Sequence, residues 1–183
     1  MDAALRRRGD PVTGRTATVV VGVTSHQPDV VVRQAASLAA ALHARLVCAA
    51  VDPGHYVVEE HPDGSVHSLA VDPDAGDLEP ADGALFDPDL LSRLHALLDP
   101  LDLTWEPRAL AGDPTRALAH LAEAIDAAMI VVGTREPGVR GTLREFFSGS
   151  VAAHLAHRQH RPVLVVPIAP VGFADDVPWD STT

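Results

Sequence analysis

The stretch Ala127–Pro167, AAMIVVGTREPGVRGTLREFFSGSVAAHLAHRQHRPVLVVP, decides how the chain folds. It opens on an apolar run, Ala128 to Val132, too short for a helix and rich in β-branched residues, and closes on another, Pro162 to Val166. Runs of this kind predict strands buried on both faces, as in a parallel sheet. Between them lies a loop punctuated by Gly133, Gly138 and Gly141, then Ser148-Gly149-Ser150, from which a helical pattern runs to about Gln159. The stretch is a strand, loop, helix, strand unit.

Such a loop suits an anion. Glycine lets the backbone turn with positive φ and come close to a ligand, and Ser148 or Ser150 at a helix start leaves N–H groups and a positive dipole end facing the same space. Arg135, Arg140 and Arg144 add charge, so a phosphate fits. A plain glycine-rich connection with a serine N-cap fits the same pattern.

Outward from this unit, the same alternation recurs. Thr16–Thr24 (TATVVVGVT) is a β-branched first strand, and no G-x-G-x-x-G follows it, which excludes the dinucleotide fingerprint. Asp29–Leu42 predicts a helix with Val32, Ala36, Leu38, Ala39, Ala40 and Leu42 on its apolar face, and with His43 and Arg45 favouring its carboxyl end. Leu46–Val51 is the second strand. Asp87–Leu98 is the second helix, capped by Asp87 with Pro88 in its first turn and Leu90, Leu91, Leu94, Leu97 and Leu98 facing inward. Leu101–Leu110 supplies the third strand, in which Trp105 is expected to pack in the core or at an edge. Asp113-Pro114 starts the third helix, burying Leu118, Leu121, Ala122 and Ile125. Five strands alternating with four helices predict an α/β fold, a single doubly wound parallel sheet with helices on both faces, Rossmann-like in its winding.

The alternation breaks at 53–86. Pro53, Pro62, Pro73 and Pro80 with Gly54, Gly64, Gly76 and Gly83 remove any periodicity, and Asp63, Asp72, Asp74, Asp77 and Asp82 make the segment acidic, so it reads as a long loop insertion, an acidic lid. Within it HYVVEEHPDGSVHSLAV could hold a short hairpin turning at Asp63-Gly64. The Asp72, Asp74, Asp77 spacing is not that of a calcium loop, and His55, His61 and His67 lack the spacing that presets a metal site.

Composition narrows the function. The chain has 183 residues, 46% of them hydrophobic, which suits one domain with a sizeable core. Its net charge of -11 argues against nucleic acid as a partner. All 14 basic residues are arginine, which excludes a P-loop lysine and Schiff-base chemistry. Cys48, the single cysteine, sits in an apolar run and reads as a buried strand thiol. Residues 1–15, with Arg6, Arg7 and Arg8 but no apolar core to the segment, read as a mobile arm and not a secretory signal. No apolar run approaches membrane-spanning length, and a cytoplasmic protein with no membrane partner is the expectation. His154, His157 and His160 read as a solvated stripe at a helix end, and no metal site is expected there. No nucleophile elbow or acid–base constellation stands out, so no catalytic residue is assigned.

The order VVGT, glycine loop, GSVA, RPVLVVP resembles the carboxyl-terminal half of the universal stress protein family, whose loop reads G-x-x-G-x9-G-[ST]. Gly133 matches its first glycine, Gly149 and Ser150 its final pair, and Val151 follows. The middle departs: Glu136 holds the place of the second glycine and the loop is about three residues longer, so that Gly138 or Gly141 stands in. GDP followed by an apolar helix and DAAMIVVG is similar too, as is Val21-Gly22-Val23 at the first strand, although Thr24 takes the place of the family's aspartate. The likeness covers Thr16 to Pro167 apart from the insertion; with the flanking residue it marks 16–168 as the domain and 169–183 as a tail.

The resemblance implies a sheet order of 3-2-1-4-5 and a pocket at its switch point formed by Val23, Thr24 and Val51 with Gly133, Thr134, Arg135, Gly138, Arg140, Gly141, Gly149, Ser150 and Val151. It implies ATP or another adenine nucleotide as ligand, with Mg2+ as a companion ion and at most slow hydrolysis. It also implies a homodimer paired through the last strand, Val163 to Val166, in a stress-response regulator with protein partners still to be named. The alternative is a family member that binds no nucleotide and serves as a dimeric interaction or scaffold protein, which Thr24 and the carboxylate of Glu136 favour. An acyl or phosphoryl transfer enzyme on the same fold has little support, since a fold alone licenses no chemistry.

Overall fold

Valine-rich β1 (Thr18–Val23) forms the centre of the sheet, with both of its faces buried. The computed structural model describes residues 16–61, 66–70, 86–134, 151–168 and 170. After β1 come α1 (Val30–Ala41), β2 (Arg45–Asp52), β3 (His55–Glu60), β4 (Val66–Ala70) and α2 (Pro88–Leu98). Next are β5 (Trp105–Ala111), α3 (Pro114–Ala124), β6 (Met129–Gly133), α4 (Val151–Arg158) and β7 (Val163–Val166). The main sheet has five strands in the order β5-β2-β1-β6-β7, all pairs parallel. Leaving out the hairpin strands, this is the expected 3-2-1-4-5.

Alternate residues of β1 feed two cores. Val19, Val21 and Val23 pack with α1 and α2 through Val31, Val32, Ala35, Leu90, Leu94 and Leu98. Val20 joins Val47, Ala49, Leu118, Leu121 and Leu155 on the face covered by α3 and α4. Burial on both faces is what parallel pairing with crossover helices requires. Cys48 is buried in the first of these cores, and burial pushes its thiol up to about 12. It is packing, not a nucleophile.

Caps set the helix starts. Asp87 accepts from the N–H groups of Asp89 (2.8 Å) and Leu90 (3.2 Å), and Asp113 from that of Arg116 (2.9 Å), each followed by proline. Asp29, by contrast, makes no side-chain cap to α1.

The expected elements are refined at four places. Over His55–Glu60 and Val66–Ala70 the acidic insertion carries the antiparallel hairpin that HYVVEEHPDGSVHSLAV allowed, its register shifting between Val57 and Glu59. Its entry is fixed by Asp52, which accepts from Gly54 N–H at 2.7 Å and pairs with His55 Nδ1 at 2.9 Å. The buried face of α1 is Val31, Val32, Ala35, Ala36 and Ala39, rotated from the expected one, so that Ala40 and Leu42 are exposed. Arg45 does not serve the end of α1: it opens β2, and its Nε donates to the Thr18 hydroxyl at 2.9 Å. The third strand starts at Trp105, later than Leu101, and the Trp105 indole donates to Asp99 at 3.0 Å while packing partly into the core, as expected of it.

Candidate functional site at the strand switch

The chain reverses direction across the sheet between β1 and β6, and a ligand crevice is expected beyond the carboxyl ends of strands at such a point. The described residues enclose a cleft of about 790 Å³ there. Its floor is small and apolar, with Gly22, Ala49, Leu118 and Val132. Gly22 keeps α3 close, since a Cβ there would stand 3.2 Å from Leu118 Cδ1. Val23, Thr24, Val51, Gly133, Thr134 and Val151, six of the expected site residues, all line it. Arg135, Gly138, Arg140, Gly141, Gly149 and Ser150 lie outside the described residues.

One wall is the turn after β1. Thr24 is exposed, and its carbonyl accepts from Gln27 N–H at 3.2 Å and from Arg93 Nη2 at 3.3 Å. Arg93, on α2, also donates to Ser25 O at 2.9 Å and Gln27 O at 3.0 Å, and its Nε lies 3.5 Å from Asp29 Oδ1. The Ser25 hydroxyl donates to Asp87, and this bond, ahead of the helix N–H groups, holds the Asp87 carboxyl below the usual carboxylate range. Sequence reasoning missed Arg93 and Gln27. No local pattern marks them, because their partners are far away in the chain.

The other wall is built differently. A Cβ on Gly133 would come within 2.8 Å of Gln27 Nε2 and 2.9 Å of both Ile168 Cδ1 and Val31 Cγ2. The glycine is therefore required by close packing, not by the positive φ expected of it. Thr134 follows, its N–H donating to Val166 O at 2.9 Å and its hydroxyl accepting from Ile168 N–H at 2.9 Å. Its hydroxyl ties β6 to the exit of β7.

Among the described residues the titratable lining is His26, Asp113 and His154, with no arginine. Of the three stripe histidines only His154 reaches this cleft, and no group of three or more metal-ligating side chains occurs among the described residues. A second cleft, of about 990 Å³, runs along the flank of α3 past Arg116, His120, Arg158 and His160. It is larger and reaches the carboxyl end of β5 at Leu110 and Ala111, but its lining includes neither β1 nor β6, the strands of the switch point. Its Arg161 is engaged structurally, donating to Ala127 O and, at 3.1 Å, to Asp126.

The model of the universal stress protein family matches residues 16–167. The chain belongs to the universal stress protein family. No curated protein matches it. Among solved structures, it is similar to a universal stress protein in complex with cAMP (24% identity, 85% of this chain and 100% of that one, TM-score 0.52). It is also similar to a universal stress protein from Archaeoglobus fulgidus (20%, 83% and 99%, 0.56) and to one from that organism in complex with dAMP (19%, 82% and 97%, 0.50). At these identities the likeness is one of fold. No helix among the described residues is long and apolar enough to cross a membrane.

Proposed function

We propose that this universal stress protein binds an adenine nucleotide, ATP or a monophosphate, in the switch-point cleft and acts as a stress-response regulator through binding, not turnover. The observation that carries this is the convergence of Val23, Thr24, Val51, Gly133, Thr134 and Val151 on one cleft at the carboxyl ends of β1 and β6. Its volume is within the range of small-molecule sites, and the apolar floor suits a base. Structures of similar fold hold cAMP and dAMP, which supports an adenine ligand here. The cleft's described lining carries no arginine, so Arg135 or Arg140, with Gly149 and Ser150, would hold the phosphates. Without a cluster of ligating side chains among the described residues, Mg2+ would be held chiefly by the phosphates.

Within the same proposal the molecule is a homodimer paired through β7. This strand ends the sheet, and Leu164 and Val165 on it are 41% and 42% exposed. Among the described residues β7 pairs on one side only, and an apolar edge invites pairing with a second copy. Leu164→Asp is expected to give monomers in sedimentation.

A second reading, that the chain is a dimeric interaction protein without nucleotide, draws on Thr24, which offers a hydroxyl where the family pattern has a carboxylate. The mass of any small molecule released on denaturing the purified protein, followed by ATP titration of the stripped protein, separates the two. Release of an adenine nucleotide, or micromolar rebinding (about -8 kcal/mol), supports the first. No release and no binding heat supports the second.

A further inference from the structure

We propose that Gln27 reads the base in this cleft, its side-chain oxygen accepting a hydrogen bond from an exocyclic amino group such as the 6-amino of adenine; this rests on the nucleotide reading above. The backbone of Gln27 is fixed from both sides. Its N–H donates to Thr24 O at 3.2 Å and its carbonyl accepts from Arg93 Nη2 at 3.0 Å. α2 therefore sets where this side chain starts.

The side-chain oxygen lacks a partner among the described residues. Gln27 Oε1 is buried with no hydrogen bond, a condition that costs free energy until a donor is supplied. The amide rests against the end of β6, with Nε2 2.8 Å from where a Gly133 Cβ would stand, so that it bridges the two strand ends that define the cleft. Both residues line it. The final torsion of a glutamine is broad, and a rotation there turns the oxygen into the cleft without moving the backbone. Thr24, one turn earlier, has its carbonyl engaged and a hydroxyl that satisfies either a donor or an acceptor. An acceptor oxygen with an adjacent donor N–H matches the amino group and ring nitrogen of adenine, the pairing glutamine makes with that base.

The test compares AMP with purine riboside 5′-monophosphate, which has hydrogen in place of the 6-amino group, by titration calorimetry. The wild-type protein is expected to favour AMP about tenfold, the scale of one hydrogen bond. Gln27→Leu should bind the two equally, and Gln27→Glu, which keeps the acceptor, should keep the preference. A leucine variant with undiminished preference, or a wild-type protein with none, overturns the assignment. Should the leucine variant not fold, Gln27→Glu decides. It cannot donate to a 6-oxo group, so it should bind inosine monophosphate about tenfold more weakly than wild type does, and equal binding overturns the assignment. If the wild-type protein binds none of the three, the nucleotide reading falls and this inference falls with it, a result distinct from binding without discrimination.

Discussion

The two walls of the cleft are held by opposite means. The β6 wall is held by main chain and by the absence of a side chain: Gly133 admits Gln27, Ile168 and Val31, and Thr134 is tied to β7. The turn after β1 is held from outside by side chains of α2, through Arg93 on three carbonyls and Asp87 on the Ser25 hydroxyl. A wall made by packing fails when anything is added to it, whereas a braced wall fails when a brace is removed. The first kind is written locally in the sequence. The second joins residues 62 to 69 positions apart and leaves no local trace.

Adding to the packed wall should do the most damage. Gly133→Val places its Cβ within 3 Å of three neighbours, and the overpacking should cost about 3 kcal/mol in urea unfolding and abolish nucleotide binding. A loss below about 1 kcal/mol would show that the wall yields.

Removing the main brace comes next. Arg93→Ala deletes the bonds to Thr24, Ser25 and Gln27 carbonyls and should cost about 2 kcal/mol, with weaker nucleotide affinity. Arg93→Lys should recover only part of it, because an ammonium cannot reproduce the planar fork. Full recovery by lysine would mean that charge, not geometry, holds the turn.

The smallest effect concerns Asp87. Asp87→Ala should lower stability slightly through the lost cap. Its carboxyl lies below its usual 3.8, so its contribution is complete above that value and is lost as pH falls through the lowered one. The gap between wild type and Asp87→Ala should therefore be constant near neutral pH and close in acid. A gap that persists in strong acid would show that Asp87 acts by shape alone.

The same contrast explains what could be read from sequence. Apolar runs rich in β-branched residues announced β1, β6 and β7, the apolar run Leu46–Val51 announced β2, and Asp87-Pro88 and Asp113-Pro114 announced two helix starts, because the physics of burial and capping is local. Gly133 was legible as a residue at the strand switch, though it is glycine there for packing and not for the positive φ expected. On α1, Val32, Ala36 and Ala39 are buried as expected, but Ala40 and Leu42 are not, because alanine and leucine at neighbouring positions do not distinguish one helical face from the next. The hairpin strands His55–Glu60 and Val66–Ala70 were legible from the Asp63-Gly64 turn signal between them, although the surrounding prolines and aspartates read as a loop. Arg45, Arg93 and Gln27 have roles that exist only once distant elements meet.

A nucleotide at the strand switch should be visible in the backbone amide resonances of the 15N-labelled protein as AMP is added. Saturable shifts are expected at Val23, Thr24, Val51, Thr134 and Val151, which line one cleft. Shifts confined to Arg116, His120 and Arg158 along the flank of α3, or no shifts at all, would contradict it.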